Sequence, residues 1–248
     1  MSKLPYNAEN LPSLGGQSPI AEIFPSRRVM PAIYIAGCNL QCLYCLNRDL
    51  VKRECPKLDA RKAVFELRGA LEPWIMVSGA EPLMDPKTLN LLFFLKVIGF
   101  HVALATNGTY FERLRRVVED RLVDHVVMDI KAPLDVVRYA EISPVGVTSE
   151  VLGAIRSSID FLKNYPWTTR LTHHFRTTVC GRYIGVDDVR RIAEYIGPRA
   201  TYVLQYYTTH QTLDPRLAQE KYVVPYETLV AWAALLKSVV EHAYVSEV

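Results

Sequence analysis

Short apolar runs alternate with longer amphipathic segments along most of this chain. The apolar runs have the length of buried strands, and the segments between them have the periodicity of helices. This alternation is typical of parallel βαβ units, which makes the chain an α/β protein. The predicted strands cover residues 32–36, 74–77, 101–105, 125–128, 172–179 and 201–206. The predicted helices cover residues 60–71, 85–96, 110–119, 149–161, 187–196 and 226–242.

Six such units can form a partial barrel or a doubly wound sheet. A dinucleotide-binding sheet would carry Gly-x-Gly-x-x-Gly after its first strand, and this chain has no such motif there. A partial (β/α)6 barrel, similar to a TIM barrel, therefore fits better, although the pattern alone leaves the doubly wound sheet open. Residues 1–31 hold five of the fifteen prolines. We expect an extended N-terminal arm over residues 1–30, one barrel domain over residues 31–248 and a C-terminal helix.

The composition narrows the function classes. The chain has 248 residues, of which 50% are hydrophobic, enough for one large core. Its 29 basic and 26 acidic residues are spread along the chain, so there is no electrostatic footprint for nucleic acid. No apolar run approaches the length of a membrane span, and the first residues lack the apolar region of a signal peptide. We expect a cytoplasmic protein that binds neither nucleic acid nor membranes.

Three cysteines, Cys38, Cys42 and Cys45, lie within eight residues after the first predicted strand. A [4Fe-4S] cluster is normally held by four thiolates, so three would leave one iron open to a small molecule. The alternative is a closed site, either a structural zinc or a cluster with Cys55 as the fourth ligand. Because the cysteines are odd in number and three are clustered, metal ligation is favoured over disulfides. Cys55 and Cys180 are otherwise spare.

Polar residues also follow the next three predicted strands. Barrel enzymes place their reactive groups at the carboxyl ends of the strands, so these segments form a set. Each alone is weak evidence, since Asn107-Gly108 is also a turn signature and Asp129 also suits a helix cap. The segments are Ser78-Gly79-Ala80-Glu81-Pro82, Thr106-Asn107-Gly108 and Asp129-Ile130-Lys131. Their common position predicts one site together with the cysteine loop.

The cysteine loop resembles that of the radical S-adenosylmethionine (SAM) enzymes. They share its C-x3-C-x2-C spacing and an aromatic residue before the last cysteine, here Tyr44. The resemblance implies an open (β/α)6 barrel, a single [4Fe-4S] cluster on Cys38, Cys42 and Cys45, and SAM at the open iron in contact with Tyr44. In this family the reduced cluster passes an electron to SAM, which yields methionine and a 5′-deoxyadenosyl radical.

Two further motifs are similar to radical SAM sequences. Gly79-Ala80-Glu81-Pro82 resembles the Gly-Gly-Glu-Pro motif that binds the amino group of SAM, with Ala80 in place of a glycine. Asp129-Ile130-Lys131 resembles the Asp-x-Lys motif of the glycyl-radical-enzyme activases, where both charged residues sit by SAM. Ala105 stands where those relatives often have an aspartate of a cation site. The resemblance implies a catalytic Lys131 and SAM contacts from Tyr44, Gly79, Ala80, Glu81, Thr106, Asn107, Asp129 and Lys131.

The activase resemblance also implies partners. A glycine of a glycyl radical enzyme would lose a hydrogen atom, and an external donor such as flavodoxin or ferredoxin would supply the electron. The main alternative is a radical SAM enzyme that acts on a small molecule, such as a deazaguanine precursor. A non-enzymatic iron-sulfur or zinc module is a third hypothesis, and it would not need Glu81, Asn107 and Asp129 at strand ends.

Several residues carry weaker signals. His173 and His174 face opposite sides of a predicted strand, so at most one points inward, and a core or surface role is expected for each. Arg176 is a candidate for the SAM carboxylate or ribose, and Gln205 for the adenine. Residues 208–216 and the N-terminal arm are expected to line the entrance to the barrel.

Overall fold

Eight strands form one sheet in the computed structural model of the chain, which describes residues 12, 14–23, 28–57, 59–67, 73–166 and 171–246. Strands β2 to β8 run parallel in chain order, and β1 pairs antiparallel with β2. Within these ranges β1 and β8 do not pair, so the barrel is open and the predicted fold class is confirmed. The strands are β1 (Leu14–Ile23), β2 (Arg28–Ile35), β3 (Trp74–Gly79), β4 (His101–Thr106), β5 (His125–Asp129), β6 (Thr172–Val179), β7 (Thr201–Tyr206) and β8 (His242–Ser246).

Helices follow the parallel strands and cover the outer face of the sheet. The core between them consists of alternate strand residues such as Ile75, Val102 and Val126, which are fully buried against apolar helix residues. None of the described helices is long and apolar enough to cross a membrane. The helices are α1 (Arg48–Lys52), α2 (Ala60–Leu67), α3 (Thr88–Val97), α4 (Phe111–Glu119), α5 (Val136–Ile142), α6 (Ser149–Asn164), α7 (Val186–Ile196) and α8 (Tyr226–Leu236), with 3-10 turns at Pro82–Met84, Pro215–Leu217 and Glu220–Tyr222.

The strand residues that alternate with those packed against the helices face the inside of the barrel. On β5 and β6 this inner face is polar at its lower end. His125 Nε2 lies 2.9 Å from His174 Nδ1, and His125 Nδ1 lies 2.7 Å from Thr172 Oγ1. Further toward the carboxyl ends, β5 and β6 pair Asp129 with Arg176. On β2 to β5 the side chains of the inner face are mostly apolar and either small or flexible. They are Met30, Ala32, Met76, Ala103, Ala105 and Val127.

These buried histidines predict a loss of stability in acid. Burial lowers the pKa of His125 to about 3, that of His173 to about 4, and that of His174 well below its usual value. In the unfolded chain histidine titrates near pH 6.5, so below that pH the unfolded state binds protons that the folded state does not. Each histidine should lower the free energy of unfolding by up to about 1.4 kcal/mol per pH unit as the pH falls from 6.5 toward the pKa of that histidine in the folded protein.

Urea unfolding of the metal-free protein at pH 7 and pH 5 measures this loss. His125→Gln should reduce the difference between the two pH values, because one buried titrating group is gone. His210→Gln changes an exposed histidine and should leave the difference as it is in the wild type. An unfolding free energy that depends on pH equally in the wild type and in His125→Gln would contradict a neutral, buried His125.

The N-terminal strand differs from the sequence-based expectation. Leu14–Ile23 belong to the predicted arm but form β1, and β2 begins at Arg28, also within the arm. An antiparallel edge strand has no place in a βαβ alternation, so that pattern gave no sign of it. The predicted arm also includes residues 1–11, which lie outside the described residues. The division at residues 1–30 and 31–248 stays a prediction.

The C-terminal helix is shorter than predicted. It was expected over residues 226–242, but α8 ends at Leu236, and His242–Ser246 form a seventh parallel strand, β8. A short apolar run such as that of β8 cannot be assigned to helix or strand by periodicity alone. The predicted helix over residues 60–71 is present as Ala60–Leu67, and its remainder lies outside the described residues.

Candidate active site

A cavity of about 280 Å³ lies at the carboxyl ends of the parallel strands. Its size is near the lower end of the roughly 300–1,000 Å³ of ligand pockets. Glu81 alone among the predicted site residues is absent from its wall. Folding thus brings the four strand-end segments together, while the roles of their residues toward a cofactor stay predictions. The predicted site residues in the wall are Cys38, Cys42, Tyr44, Cys45, Gly79, Ala80, Thr106, Asn107, Asp129 and Lys131.

The cysteine loop is fixed by contacts on two sides. Leu43 N donates to Ile142 O at 2.9 Å, and Leu43 O accepts from Asp214 N at 2.8 Å. Gly146 packs against the same loop with a φ of +82°, and a Cβ there would lie 1.9 Å from Asn39 O. Only glycine combines that backbone angle with so close an approach. The loop geometry therefore depends on α5 and on the segment after β7, both distant in sequence.

The three thiols of this loop suit a soft metal centre. Burial raises the pKa of Cys38, Cys42 and Cys45, that of Cys42 to about 12, so a metal would have to displace their protons. Cys55 and Cys180 do not line the cavity. In the described part of the chain no three His, Cys, Asp or Glu side chains are grouped to hold a single metal ion. Thiolate is the usual ligand of iron-sulfur clusters, so this donor set fits one held by three cysteines.

The Tyr44 hydroxyl is a second feature that fits a bound ligand. It is buried and has no hydrogen-bond partner among the described residues, although Tyr44 lines the cavity. Its ring packs against Tyr183 and Tyr207, with centroids 6.4 and 6.3 Å away. A buried hydroxyl without a partner costs about 1–3 kcal/mol. A polar ligand in the cavity would supply the missing hydrogen bond.

Tyr44→Phe should therefore separate stability from ligand binding. The unfolding free energy of the metal-free protein should stay the same or rise, because the variant removes an unpaired group. The affinity of the cluster-loaded protein for SAM should fall about two- to tenfold, the loss of one hydrogen bond. Urea unfolding and titration calorimetry measure the two quantities. Tyr202→Phe is the matched control, since its buried hydroxyl donates to Thr177 Oγ1 at 2.7 Å away from the cavity. The control should lose stability and keep its SAM affinity, and the same outcome for Tyr44→Phe would refute the assignment.

Glu81 is fully buried and joins the ends of β3 and β4. Its Oε1 accepts from Leu83 N at 3.0 Å and Thr106 Oγ1 at 2.8 Å, and its Oε2 accepts from Asn107 N at 2.6 Å. Burial raises the pKa of Glu81 to about 7, against the opposing effect of these donors. With both oxygens bound inside the protein, Glu81 positions Thr106 and Asn107 in the cavity wall.

The backbone before Glu81 accommodates an alanine. Gly79 has a φ of +123°, and a Cβ at this residue would lie 2.5 Å from Ile35 O, so glycine is required. Ala80 is not among the residues with positive φ, so the alanine causes no strain where the similar motif has glycine. Asn47 Nδ2 donates to Gly79 O at 3.3 Å and connects this segment to the cysteine loop.

Asp129, Lys131 and Arg176 form one ion-paired group in the cavity wall. Arg176 Nε and Nη2 donate to the two carboxylate oxygens of Asp129 at 2.6 and 3.1 Å, and Lys131 Nζ donates to Oδ2 at 3.0 Å. Burial alone would raise the pKa of Asp129, but the two cations hold it well below its usual range. Two cations against one carboxylate leave a net positive charge beside the thiols. Within the described cavity wall, other formally charged side chains are absent.

The structure also identifies wall residues that the sequence did not. His174 points inward, as the strand alternation allowed for one of the two histidines, and it lines the cavity. Thr178 lies two residues beyond Arg176 on β6, and the same alternation could have found it. Ser246 had no such signal because β8 was not predicted.

The radical SAM superfamily model matches residues 32–196 of the chain. This range holds the three thiols, the segments after β3 and β4, and the group around Asp129. The chain belongs to the radical SAM superfamily. The predicted family is thus confirmed, and enzymes of this family generally work with SAM and a [4Fe-4S] cluster.

Known proteins resemble this chain to different extents. A Methanocaldococcus jannaschii protein, provisionally named a glycyl-radical enzyme activating enzyme, is 24% identical over 190 residues, 76% of this chain and 77% of that protein. A 7-carboxy-7-deazaguanine synthase of Hyperthermus butylicus is 35% identical over 78 residues, 31% of this chain and 33% of the synthase. Streptococcus suis SuiB, solved with its precursor peptide SuiA, has a TM-score of 0.64 at 11% identity and covers 87% of this chain and 48% of SuiB. The SuiB comparison shows a shared fold.

Proposed function

We propose that this radical SAM enzyme removes a hydrogen atom from a glycine of a partner glycyl radical enzyme. The observation that carries the proposal is the convergence of the three thiols and the Asp129–Lys131 pair on one cavity. The activase name of the M. jannaschii relative, which matches 76% of this chain, supports it further. A small-molecule substrate is the second candidate. The deazaguanine synthase has a higher sequence identity to this chain than the M. jannaschii relative, although its match covers a shorter part of the chain.

In this proposal the iron-sulfur cluster and SAM occupy different parts of the cavity. Cys38, Cys42 and Cys45 hold the [4Fe-4S] cluster, and when bound, the reduced cluster and SAM supply the 5′-deoxyadenosyl radical. An external donor such as a flavodoxin or ferredoxin provides the electron. The protein itself binds SAM, orients it and excludes water from the radical. The apolar side chains at the base of the cavity, Met76 and Ala105 among them, serve this exclusion.

Charge positions the amino-acid end of SAM. The Asp129 group has a surplus positive charge, which suits the SAM carboxylate, and Lys131 is the residue expected to contact it. Arg176 contributes to the same charge and keeps Asp129 ionised. The backbone of Gly79 and Ala80 is available to the SAM amino group, with Glu81 holding that segment in place. A binding pocket of this kind would attract the zwitterionic end of SAM and leave its adenosyl end in the cavity.

A reaction with the partner protein tests this proposal. Reconstituted, reduced enzyme is incubated with SAM and a glycyl radical enzyme from the same genome. We expect a glycine-centred radical in the electron paramagnetic resonance spectrum, in stoichiometric ratio to 5′-deoxyadenosine. Lys131→Met serves as the control and should give neither product. Turnover of a purine or pterin substrate without a protein partner would instead support the second candidate.

A further inference from the structure

The side-chain amide of Asn107 lies against the first thiol of the cysteine loop. Asn107 follows β4 and is 5% exposed. Its Nδ2 donates to Cys38 Sγ at 3.8 Å, a distance suited to the large sulfur atom, and to Asn39 Oδ1 at 3.2 Å. Leu40 N also donates to Cys38 Sγ, at 3.4 Å. The sulfur of Cys38 thus accepts from two N–H groups, one of which comes from a different strand end.

Thr109 fixes which end of the Asn107 amide faces the thiol. Asn107 Oδ1 accepts from Thr109 N at 3.0 Å and from Thr109 Oγ1 at 2.7 Å. Because a backbone N–H can only donate, a flipped amide would set its nitrogen against another donor and lose this bond. The oxygen therefore faces Thr109 and the nitrogen faces Cys38. The backbone of Asn107 is held as well, since Asn107 N donates to Glu81 Oε2 at 2.6 Å.

These contacts use the whole hydrogen-bonding capacity of the amide. An asparagine side chain has two N–H groups and an oxygen with two lone pairs. The N–H groups donate to Cys38 and Asn39, and the oxygen accepts both donors of Thr109. Asn107 lines the cavity, but these contacts leave its amide neither a donor nor an acceptor for SAM. The amide therefore acts on the thiol and not on a ligand in the cavity.

A donor at Cys38 Sγ gains importance when the sulfur carries charge. As a cluster ligand Cys38 is a thiolate, and hydrogen bonds to ionised acceptors are stronger than those to neutral ones. One-electron reduction adds negative charge, so an N–H at a ligand sulfur stabilises the reduced state more than the oxidised state. Hydrogen bonds to the sulfurs are among the factors that set the potential of iron-sulfur clusters. Loss of this donor should therefore lower the potential.

We propose that Asn107 is a positioning residue that raises the reduction potential of the cluster through its hydrogen bond to Cys38. This inference rests on the proposed function, in which Cys38, Cys42 and Cys45 hold the cluster and an external donor supplies the electron. It assigns the Asn107 side chain to the cluster and not to SAM. A higher potential makes the cluster easier for that donor to reduce.

The midpoint potential of the reconstituted protein, measured without SAM, tests this role. Asn107→Leu removes the amide at nearly unchanged size. We expect the ratio of reduced to oxidised cluster at a given potential to fall about three- to tenfold, which lowers the midpoint by about 30–60 mV for a one-electron couple. Asn107→Asp keeps the acceptor for Thr109 and replaces the donor with a negative charge, so at alkaline pH its midpoint should be lower still. The electron paramagnetic resonance signal of the reduced cluster gives the ratio.

Ser158→Ala is the matched control for this measurement. Ser158 is fully buried, and its Oγ donates to Gly108 O at 2.7 Å. The variant therefore loosens the same loop after β4 without removing a contact to the thiol. It should keep the midpoint potential of the wild type. Iron and sulfide analysis shows that the cluster is loaded in each protein compared.

The possible outcomes separate this inference from the function on which it rests. A wild-type midpoint in both Asn107 variants would overturn it. An equal shift in Ser158→Ala would also overturn it, because a loosened loop would then explain the change. If Asn107→Leu holds no cluster, the midpoint of Asn107→Asp decides. A wild-type protein that forms no cluster would overturn both proposals, whereas the expected shifts without glycyl radical formation would overturn the proposed function alone.

Discussion

Cys42→Ala should abolish the iron-sulfur cluster. After anaerobic reconstitution the wild type should hold about four irons and four sulfides per chain, the composition of a [4Fe-4S] cluster. Such a cluster normally has four thiolate ligands, one for each iron. With only three in the wild type, the loss of one more leaves two irons without a protein ligand. Cys42 is also the most buried of the three thiols, at 7% exposure, and lies in a loop fixed from both sides. Iron and sulfide analysis, together with the visible absorbance of the protein, measures the effect.

Cys55→Ala and Cys180→Ala are the matched controls for this experiment. Neither residue lines the cavity, so both variants should keep the full iron and sulfide content. Loss of the cluster in Cys55→Ala would mean that four cysteines close the site and that no iron is open to SAM. Stoichiometric zinc in the reconstituted protein, with the same dependence on Cys42, would favour the zinc module.

Asp129→Ala should cause a large loss of folding stability. The substitution leaves Lys131 and Arg176 without their shared carboxylate, although the side chains of both cations are only 16% and 20% exposed. Removal of one partner from a buried ion pair costs about 3–5 kcal/mol, because the remaining charge stays in a poorly solvated position. Partial exposure favours the lower end of that range. Urea unfolding of the metal-free protein at pH 7 measures the change.

Two further variants define the origin of that loss. Arg176→Met should cost less than Asp129→Ala, because Lys131 still pairs with the carboxylate. Glu194→Ala breaks the exposed pair with Arg190 on α7 and should cost less than about 1 kcal/mol, as surface ion pairs do. If Asp129→Ala were as mild as Glu194→Ala, the Asp129 group would not be the tightly paired, desolvated group described above.

The parts of the fold that the sequence predicted are those with a local pattern. Strands β2 to β5 and β7 contain short apolar runs, which burial on both faces of a parallel sheet produces. β6 is more polar, with two histidines and Arg176, and it fits the pattern by its place between two predicted helices. β1 and β8 lie at the edges of the sheet and are the two strands that were not predicted. Their assignment depends on pairing with β2 and β7, which is a tertiary contact.

The sequence predicted those residues of the candidate site that directly follow a predicted strand. Parallel strands bring their carboxyl ends together, so the cysteine loop, Gly79, Thr106 and Asp129 were expected to meet. The partners of these residues were not predictable, since they depend on register. Arg176 lies 47 residues from Asp129 and meets it because β5 and β6 pair in that register. The enclosure of Glu81 by three donors likewise depends on how β3 and β4 end, and a sequence motif contains no such information.

Cleavage of SAM by the reduced, cluster-loaded protein is the most direct test that this chain acts as a radical SAM enzyme through the cavity at its strand ends. The protein is reconstituted under anaerobic conditions, reduced and mixed with SAM, and the products are quantified by chromatography. We expect 5′-deoxyadenosine and methionine in equal amounts, and neither product with Cys42→Ala. A wild-type protein that holds the full complement of iron and sulfide, accepts an electron and leaves SAM intact would contradict the assignment.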